Sequence, residues 1–258
     1  MGYEAPLSLA GVREVLARDA GDWLLVAGGQ SLLPHLARQA LAADYVAPGR
    51  LLDLTRVVEL REWRLADGVL FLGAGLTVAE LLGLEAVRRL PVLVQALGHI
   101  GNVTIRNRAT VGGCLAWADA RAELPLVALL YGGTVVTLRG RVAMADFILG
   151  PNKTALAPGD VILGLELPLG DEAGAFLELM PRRSFGRAVV SLAGLRTEQG
   201  LRLALGGLVD RPVCGHGGTE WIDEVAGRYP ALGDPVFPLE YRRAMAERLV
   251  TRLEGVLA

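Results

Sequence analysis

The chain has 258 residues, 52% of them hydrophobic, and its 26 basic and 28 acidic side chains leave a formal charge of −2. That length can bury a sizeable core and fits roughly two domains. The near-balanced charge gives no reason to expect nucleic acid or an acidic membrane surface as partner.

The opening MGYEAPLSLAGVREVL carries charge early and lacks a long apolar core, so it does not read as a signal peptide. LSLAGVREVLAR is an amphipathic helix capped by Ser8. DWLLVAGG is a strand and SLLPHLARQALA a helix. DYVAPGRLLDLTRV is an extended segment with a Pro-Gly turn. This alternation predicts a small α/β unit over residues 1–57. A second unit follows over 58–168. WRLADGVLFLGAG reads as a hairpin turning at Asp67-Gly68. Thr77 to Glu80 form a capping box that opens a helix. PVLVQALGHIGN reads as a helix ending near Gly101, and LPLVALLY as another. GTVVTLRG is a strand, RVAMADFIL a mixed segment, Pro151 to Pro158 a loop and VILGLELPL a strand. Beyond residues 165–172, the expected boundary, AFLELMPR and VVSLAGLRTEQGLRLALGGLV predict antiparallel strands, with a turn at Gln199-Gly200. The closing run LEYRRAMAERLVTRLEGVL predicts a helix behind them. The longest apolar runs fall well short of the roughly 18 residues of a membrane span.

Few residues offer metal or nucleophile chemistry. Cys114 and Cys214 are too few for an iron–sulfur cluster, which takes about four thiolates. His35, His99 and His216 stand singly, without ligand spacing. A reducing, cytoplasmic setting fits two unpaired cysteines.

Two glycine-rich stretches stand out. In LLVAGGQSLLPHLARQ, the run Gly28-Gly29-Gln30-Ser31 falls between a strand and a helix. Glycine permits positive φ and close backbone approach, and free amides at a helix start favour an anion. The same residues also fit a plain connecting loop capped by Ser31, with Pro34 in the first helical turn. In GHIGNVTIRNRATVGGCLAWADARAELP, residues 98–125, Thr110-Val111-Gly112-Gly113 repeats that logic. Two such turns could grip the two phosphates of a dinucleotide from opposite sides through backbone donors, as suits a chain whose only lysine is Lys153. Asp119 and Glu123 could accept sugar hydroxyls, or could be solvated acids. LGAGLTVAEL matches two positions of GxGxxG, but Val78 occupies the third, so a turn before a capped helix explains it.

AGGQSLLPHL together with IGNVTIRNRATVGGCLAWADARAELP resembles the FAD-binding medium subunits of molybdenum hydroxylases, the carbon monoxide dehydrogenase and xanthine dehydrogenase family. FILGPNKTALAPGDVI, LGGLVDRP and YRRAMAERLV fit the same family. The resemblance implies an α+β fold: two α/β subdomains forming an FAD-binding, PCMH-type domain over 1–168, then a C-terminal antiparallel sheet with helices over 169–258. It implies that Ala27, Gly28, Gly29, Gln30, Ser31 and Leu32 form a first cofactor loop. Thr110, Gly112, Gly113 and Cys114 match the second. Glu123 matches an acid toward the cofactor's sugar-like chain, and Leu163 a backbone position near the isoalloxazine ring. It implies FAD here, with molybdopterin and [2Fe-2S] clusters on large and small partner subunits, in a heterotrimer or its dimer. The chain would pass electrons from those clusters to an external acceptor and needs no general base of its own. A stand-alone FAD oxidoreductase and a flavin-less assembly subunit remain as other readings. Several positions depart from the family pattern: Ala109, Cys114, Ala120, Glu178 and Gly186-Arg187. Glu178 stands where relatives often carry lysine. It would face the ring and lower its potential, or pair with Arg182 or Arg183. Cys114 reads as a small residue filling a tight turn.

Overall fold

The computed structural model describes residues 2–18, 23–42, 49–181 and 187–258. The chain begins with β1 (Gly2–Glu4), α1 (Leu9–Arg18), β2 (Trp23–Val26), α2 (Leu32–Gln39) and β3 (Arg50–Asp53). The three strands form a parallel sheet in the order β1-β3-β2. The Ser8 hydroxyl accepts the Gly11 amide at 3.2 Å and so caps α1 as expected. The sequence reading has no counterpart to β1, because three residues are too few to show a period and their partner lies far along the chain. The Pro48 part of the expected Pro-Gly turn lies outside the described residues.

A 3-10 turn (Val58–Arg61) leads into β4 (Trp63–Ala66) and β5 (Val69–Gly73). Asp67 and Gly68 both take positive φ, 51° and 72°, as a tight hairpin matching strand twist requires. Helices α3 (Val78–Gly83), α4 (Pro91–His99), α5 (Val103–Arg106), α6 (Val111–Trp117) and α7 (Glu123–Leu130) precede β6 (Thr134–Thr137). Then come β7 (Gly140–Ala143), α8 (Met144–Phe147), the small hairpin β8 (Ile148–Gly150) and β9 (Lys153–Thr154), and β10 (Ile162–Pro168). The expected loop at Pro151 to Pro158 therefore contains a short strand. The unit is an antiparallel sheet ordered β4-β5-β10-β6-β7. The capping box is present: Thr77 accepts the Glu80 amide, and the Glu80 carboxylate accepts the Thr77 amide at 2.9 Å.

The remaining chain is the meander β11 (Gly174–Leu179), β12 (Val190–Thr197), β13 (Gly200–Gly206) and β14 (Val213–His216), with α9 (Glu220–Arg228) and α10 (Leu239–Leu257). The hairpin loop is Glu198-Gln199, one residue earlier than expected. Thr197 pairs with Gly200, and the positive φ of 102° falls on Gly200, the first residue of the returning strand.

β12 is buried from Val190 to Leu195, because α4 and α7 cover one face of its sheet and α10 the other. A strand covered on both faces reads as a continuous apolar run, and VVSLAGL does. Helix α7 is buried from Leu124 to Leu130 and accordingly lacks a polar face. One continuous apolar core runs from Val12 on α1 and Leu52 in the first sheet, through Leu72 and Leu97, to Ala193 and Ala204 in the last sheet. A smaller one lies under α9 and α10. Arg242 on α10 is 2% exposed and donates to the carbonyls of Gly207, Leu208, Leu232 and Phe237.

Candidate functional site

A cleft of about 690 Å³ opens where the first sheet meets the second unit, within the usual range for cofactor sites. Its first wall is the end of β2 and the start of α2. Trp23 to Leu32 line it without a break, since β2 is an edge strand. Among the described residues, the backbone N–H groups of Gly28, Gly29, Gln30 and Ser31 have no hydrogen-bond acceptor. Gly29 takes φ 72°, the left-handed turn that redirects the chain from strand into helix. Gly28 meets the opposite wall: a Cβ there would collide with the carbonyl of Arg108. Ser31 stands at the N-cap position of α2, yet its side chain makes no capping bond and its backbone is already helical. The first turn of α2 also contains no acidic residue, so no carboxylate of its own offsets the positive end of the helix. The expected Ser31 cap is therefore replaced by a row of unused donors.

The second wall differs from its sequence reading. Thr110 to Gly113 do not form a second loop of free amides; they begin helix α6. Thr110 caps that helix through its hydroxyl, which accepts the Gly113 amide at 3.1 Å. The amides of Val111 and Gly112 donate to the carbonyls of Leu76 and Ala74, and that of Cys114 to Thr110. Gly112 is needed for this contact, because a Cβ there would press on Ala74. The second motif thus supplies a close-fitting surface and leaves the donating to the first. This corrects the expectation of two amide cradles facing each other.

Ten expected site residues line this one cleft: Ala27, Gly28, Gly29, Gln30, Ser31, Leu32, Thr110, Gly112, Gly113 and Cys114. Leu163 and Glu123 do not. The Leu163 carbonyl accepts the Ala74 amide at 2.9 Å, behind the lining residues Ala74 and Ile162. Glu123 opens α7 beside Cys114, whose thiol it helps push up to about 12, after burial as the main cause. Cys114 is therefore a neutral, inert residue of the wall. Burial, and then Glu178 and Asp119, push the Glu123 carboxyl up to about 7, with Arg187 opposing.

Glu178 points inward, its side chain 3% exposed, and binds His99 Nδ1 at 2.7 Å. Its other oxygen is buried without a partner. Neither sequence alternative named His99; Arg182, Arg183 and Gly186 lie outside the described residues. Arg187 binds Asp119 at 2.8 Å.

Sequence reasoning missed other lining residues. Ala74, Gly75 and Thr77 belong to LGAGLTVAEL, which is no dinucleotide fingerprint but does deliver its turn to the cleft. Asn152, at φ 55°, donates its side-chain amide to the Trp117 carbonyl at 2.8 Å; an asparagine after Pro151 is a turn signal that marks it. Arg61 is held by Glu80 and the Gly75 carbonyl. Arg108 and Asp160 also line the cleft, and no local pattern announces them.

These features suit an elongated dinucleotide. Neutral donors at a helix start suit a diphosphate, glycines permit close approach, and the apolar side chains of β2 offer a surface that flat rings could use. The family described as "FAD binding domain in molybdopterin dehydrogenase" matches residues 1–170. The nicotine 6-hydroxylase medium subunit of Paenarthrobacter nicotinovorans is 35% identical over 81% of this chain and 75% of its own length. The carbon monoxide dehydrogenase medium chain of Hydrogenophaga pseudoflava is 28% identical over 97% of this chain and 94% of its own. A solved chain of quinoline 2-oxidoreductase from Pseudomonas putida 86 superposes with a TM-score of 0.85 at 31% identity, covering 100% of this chain and 96% of that one. No described helix is long and apolar enough to cross a membrane. The fold, the cleft and these likenesses agree: the chain belongs to the family of FAD-binding domains of molybdopterin dehydrogenases, as an oxidoreductase medium subunit of the molybdenum hydroxylase type.

Proposed function

We propose that this chain carries FAD between two partner subunits' redox centres and an external electron acceptor. A small subunit with [2Fe-2S] clusters would supply the electrons, and a large molybdopterin subunit would oxidise the substrate, in a heterotrimer or its dimer in the cytoplasm. The observation that carries this reading is the row of unused amides at Gly28 to Ser31, open to a cleft of cofactor size. Bound FAD would supply chemistry in one- and two-electron steps; the chain binds, orients and shields it.

Within this reading, Gly28, Gly29, Gln30 and Ser31 hold the diphosphate, flanked by Ala27 and Leu32. Thr110, Gly112, Gly113 and Cys114 shape the facing wall. Glu123 and Leu163 act from behind it, Glu123 toward the sugar-like chain and Leu163 near the ring system. Residues 1–168 form the cofactor domain and 169–258 the C-terminal domain, a division supported by the family match ending at residue 170 and by the separate four-stranded sheet beyond it.

The test is direct. The chain is purified gently, without added flavin, alone and with its co-purifying partners. Visible spectra are recorded, released cofactor is identified by chromatography, and iron and molybdenum are assayed. FAD in the chain, with iron and molybdenum only in the larger assembly, is expected. An assembly with neither metal, or one whose FAD is not reduced when substrate is added, refutes the electron-transfer role.

A further inference from the structure

Neutral amides leave an account open. A diphosphate carries about two negative charges, and burying them without positive charge is costly. Two lining residues of the cleft carry positive charge, Arg61 and Arg108. Arg61 is already committed to Glu80 and the Gly75 carbonyl. Arg108 has no carboxylate partner among the described residues. Its one side-chain hydrogen bond among the described residues runs from Nε to the Gly28 carbonyl at 3.3 Å. Its backbone carbonyl also fills the place that a Cβ on Gly28 would take. Main chain and side chain of Arg108 thus bracket the residue whose amide begins the unused row. Among the described residues, no acceptor engages the Nη end of its guanidinium.

We propose that Arg108 is a positioning and charge-supplying residue of this cofactor site, its guanidinium fork completing the diphosphate cradle begun by Gly28 to Ser31. This rests on the FAD reading above. A planar fork anchored at Nε can present both Nη groups to phosphate oxygens, which a lysine ammonium cannot match in geometry. The two walls of the cleft come from different units of the fold. A residue tied to both fixes the spacing between the donor row and the facing helix.

The experiment uses the full-length chain stripped of flavin, with the variants Arg108→Gln and Arg108→Lys. Binding of FAD, ADP and riboflavin is followed by calorimetry or flavin fluorescence over a range of salt concentrations. Losing one charged contact should weaken FAD and ADP by about 10- to 100-fold in Arg108→Gln. Riboflavin, which has no phosphate, should bind it as it binds the unaltered chain. Arg108→Lys should recover part of the loss, and the salt dependence of FAD binding should be shallower in Arg108→Gln. A purely structural pin would weaken riboflavin equally and leave the salt dependence unchanged; that result, or FAD binding within about twofold of the unaltered chain, overturns the proposal. If the unaltered chain binds neither FAD nor ADP, the cofactor reading itself fails and the proposal falls with it.

Discussion

Gly29 sits at φ 72° between the end of β2 and the first turn of α2. A β-branched side chain is strained there by about 1–3 kcal/mol, and its Cβ would crowd Leu33. Gly29→Val should therefore abolish flavin retention while far-UV circular dichroism stays close to that of the unaltered chain. Unchanged FAD content in the variant would remove Gly29 from the site. Glu123 makes a different kind of prediction. Burial, Glu178 and Asp119 push its carboxyl up to about 7, against an unfolded value of about 4.3. Between those values the folded chain holds more protons than the unfolded one, so stability falls as pH rises from about 4.5 to about 7 and stays lower above. The loss is on the order of 3 kcal/mol if the shift is fully expressed. Urea denaturation midpoints at about pH 5 and about pH 8 should differ in the unaltered chain and converge in Glu123→Gln. A midpoint difference that persists in the variant would assign the titration to another group.

Among the elements, α6 couples fold to site most directly. Its cap is the Thr110 hydroxyl on the Gly113 amide, and its first amides are tied to Ala74 and Leu76. Thr110→Ala should cost about 1 kcal/mol, a fall of roughly 2–4 °C in Tm for a chain of this size. It should also weaken FAD, since Gly112 and Gly113 would lose their fixed position; Thr110→Ser should restore both. An unaltered melting curve for Thr110→Ala would show that the cap carries no stability. The limits of sequence reading are clear in this element. TVGG looked like a second loop because two adjacent glycines disfavour a helix, yet the contacts with Ala74 and Leu76 that fix the helix join segments more than 30 positions apart. Ala27 to Leu32 were legible because strand, glycine pair and helix follow one another locally. Arg108 and Asp160 were not, because only the tertiary fold brings them to the cleft. The elements β1, β14 and α9 escaped for the same reason: short or weakly patterned, they depend on partners elsewhere in the chain.

At the scale of the molecule, the continuous core makes the three larger sheets one cooperative body. It reaches from Val12 on α1 and Leu52 in the first sheet to Ala204 in the last. Arg242 and the Arg121–Asp234 ion pair reinforce the C-terminal unit against it. Arg242→Leu leaves the carbonyls of Gly207, Leu208, Leu232 and Phe237 short of a donor, at a cost of about 3 kcal/mol or more. Thermal unfolding of the variant should remain a single transition at a clearly lower Tm. A new, separate early transition would mean that the C-terminal unit unfolds by itself.

The contact between Gly28 and Arg108 has a consequence for assembly. It lies on the seam between the small parallel sheet and the rest of the chain, and the unused amides stand along that seam. A ligand seated there works as a clasp: it stabilises the closed seam by mass action, and does so mostly for the first 57 residues. Amide hydrogen exchange in β1, β2 and β3 should therefore slow on adding FAD, while β12 and β13, inside the shared core, should hardly change. A chain that takes up its flavin early would meet its partners with the amino-terminal lobe already locked shut.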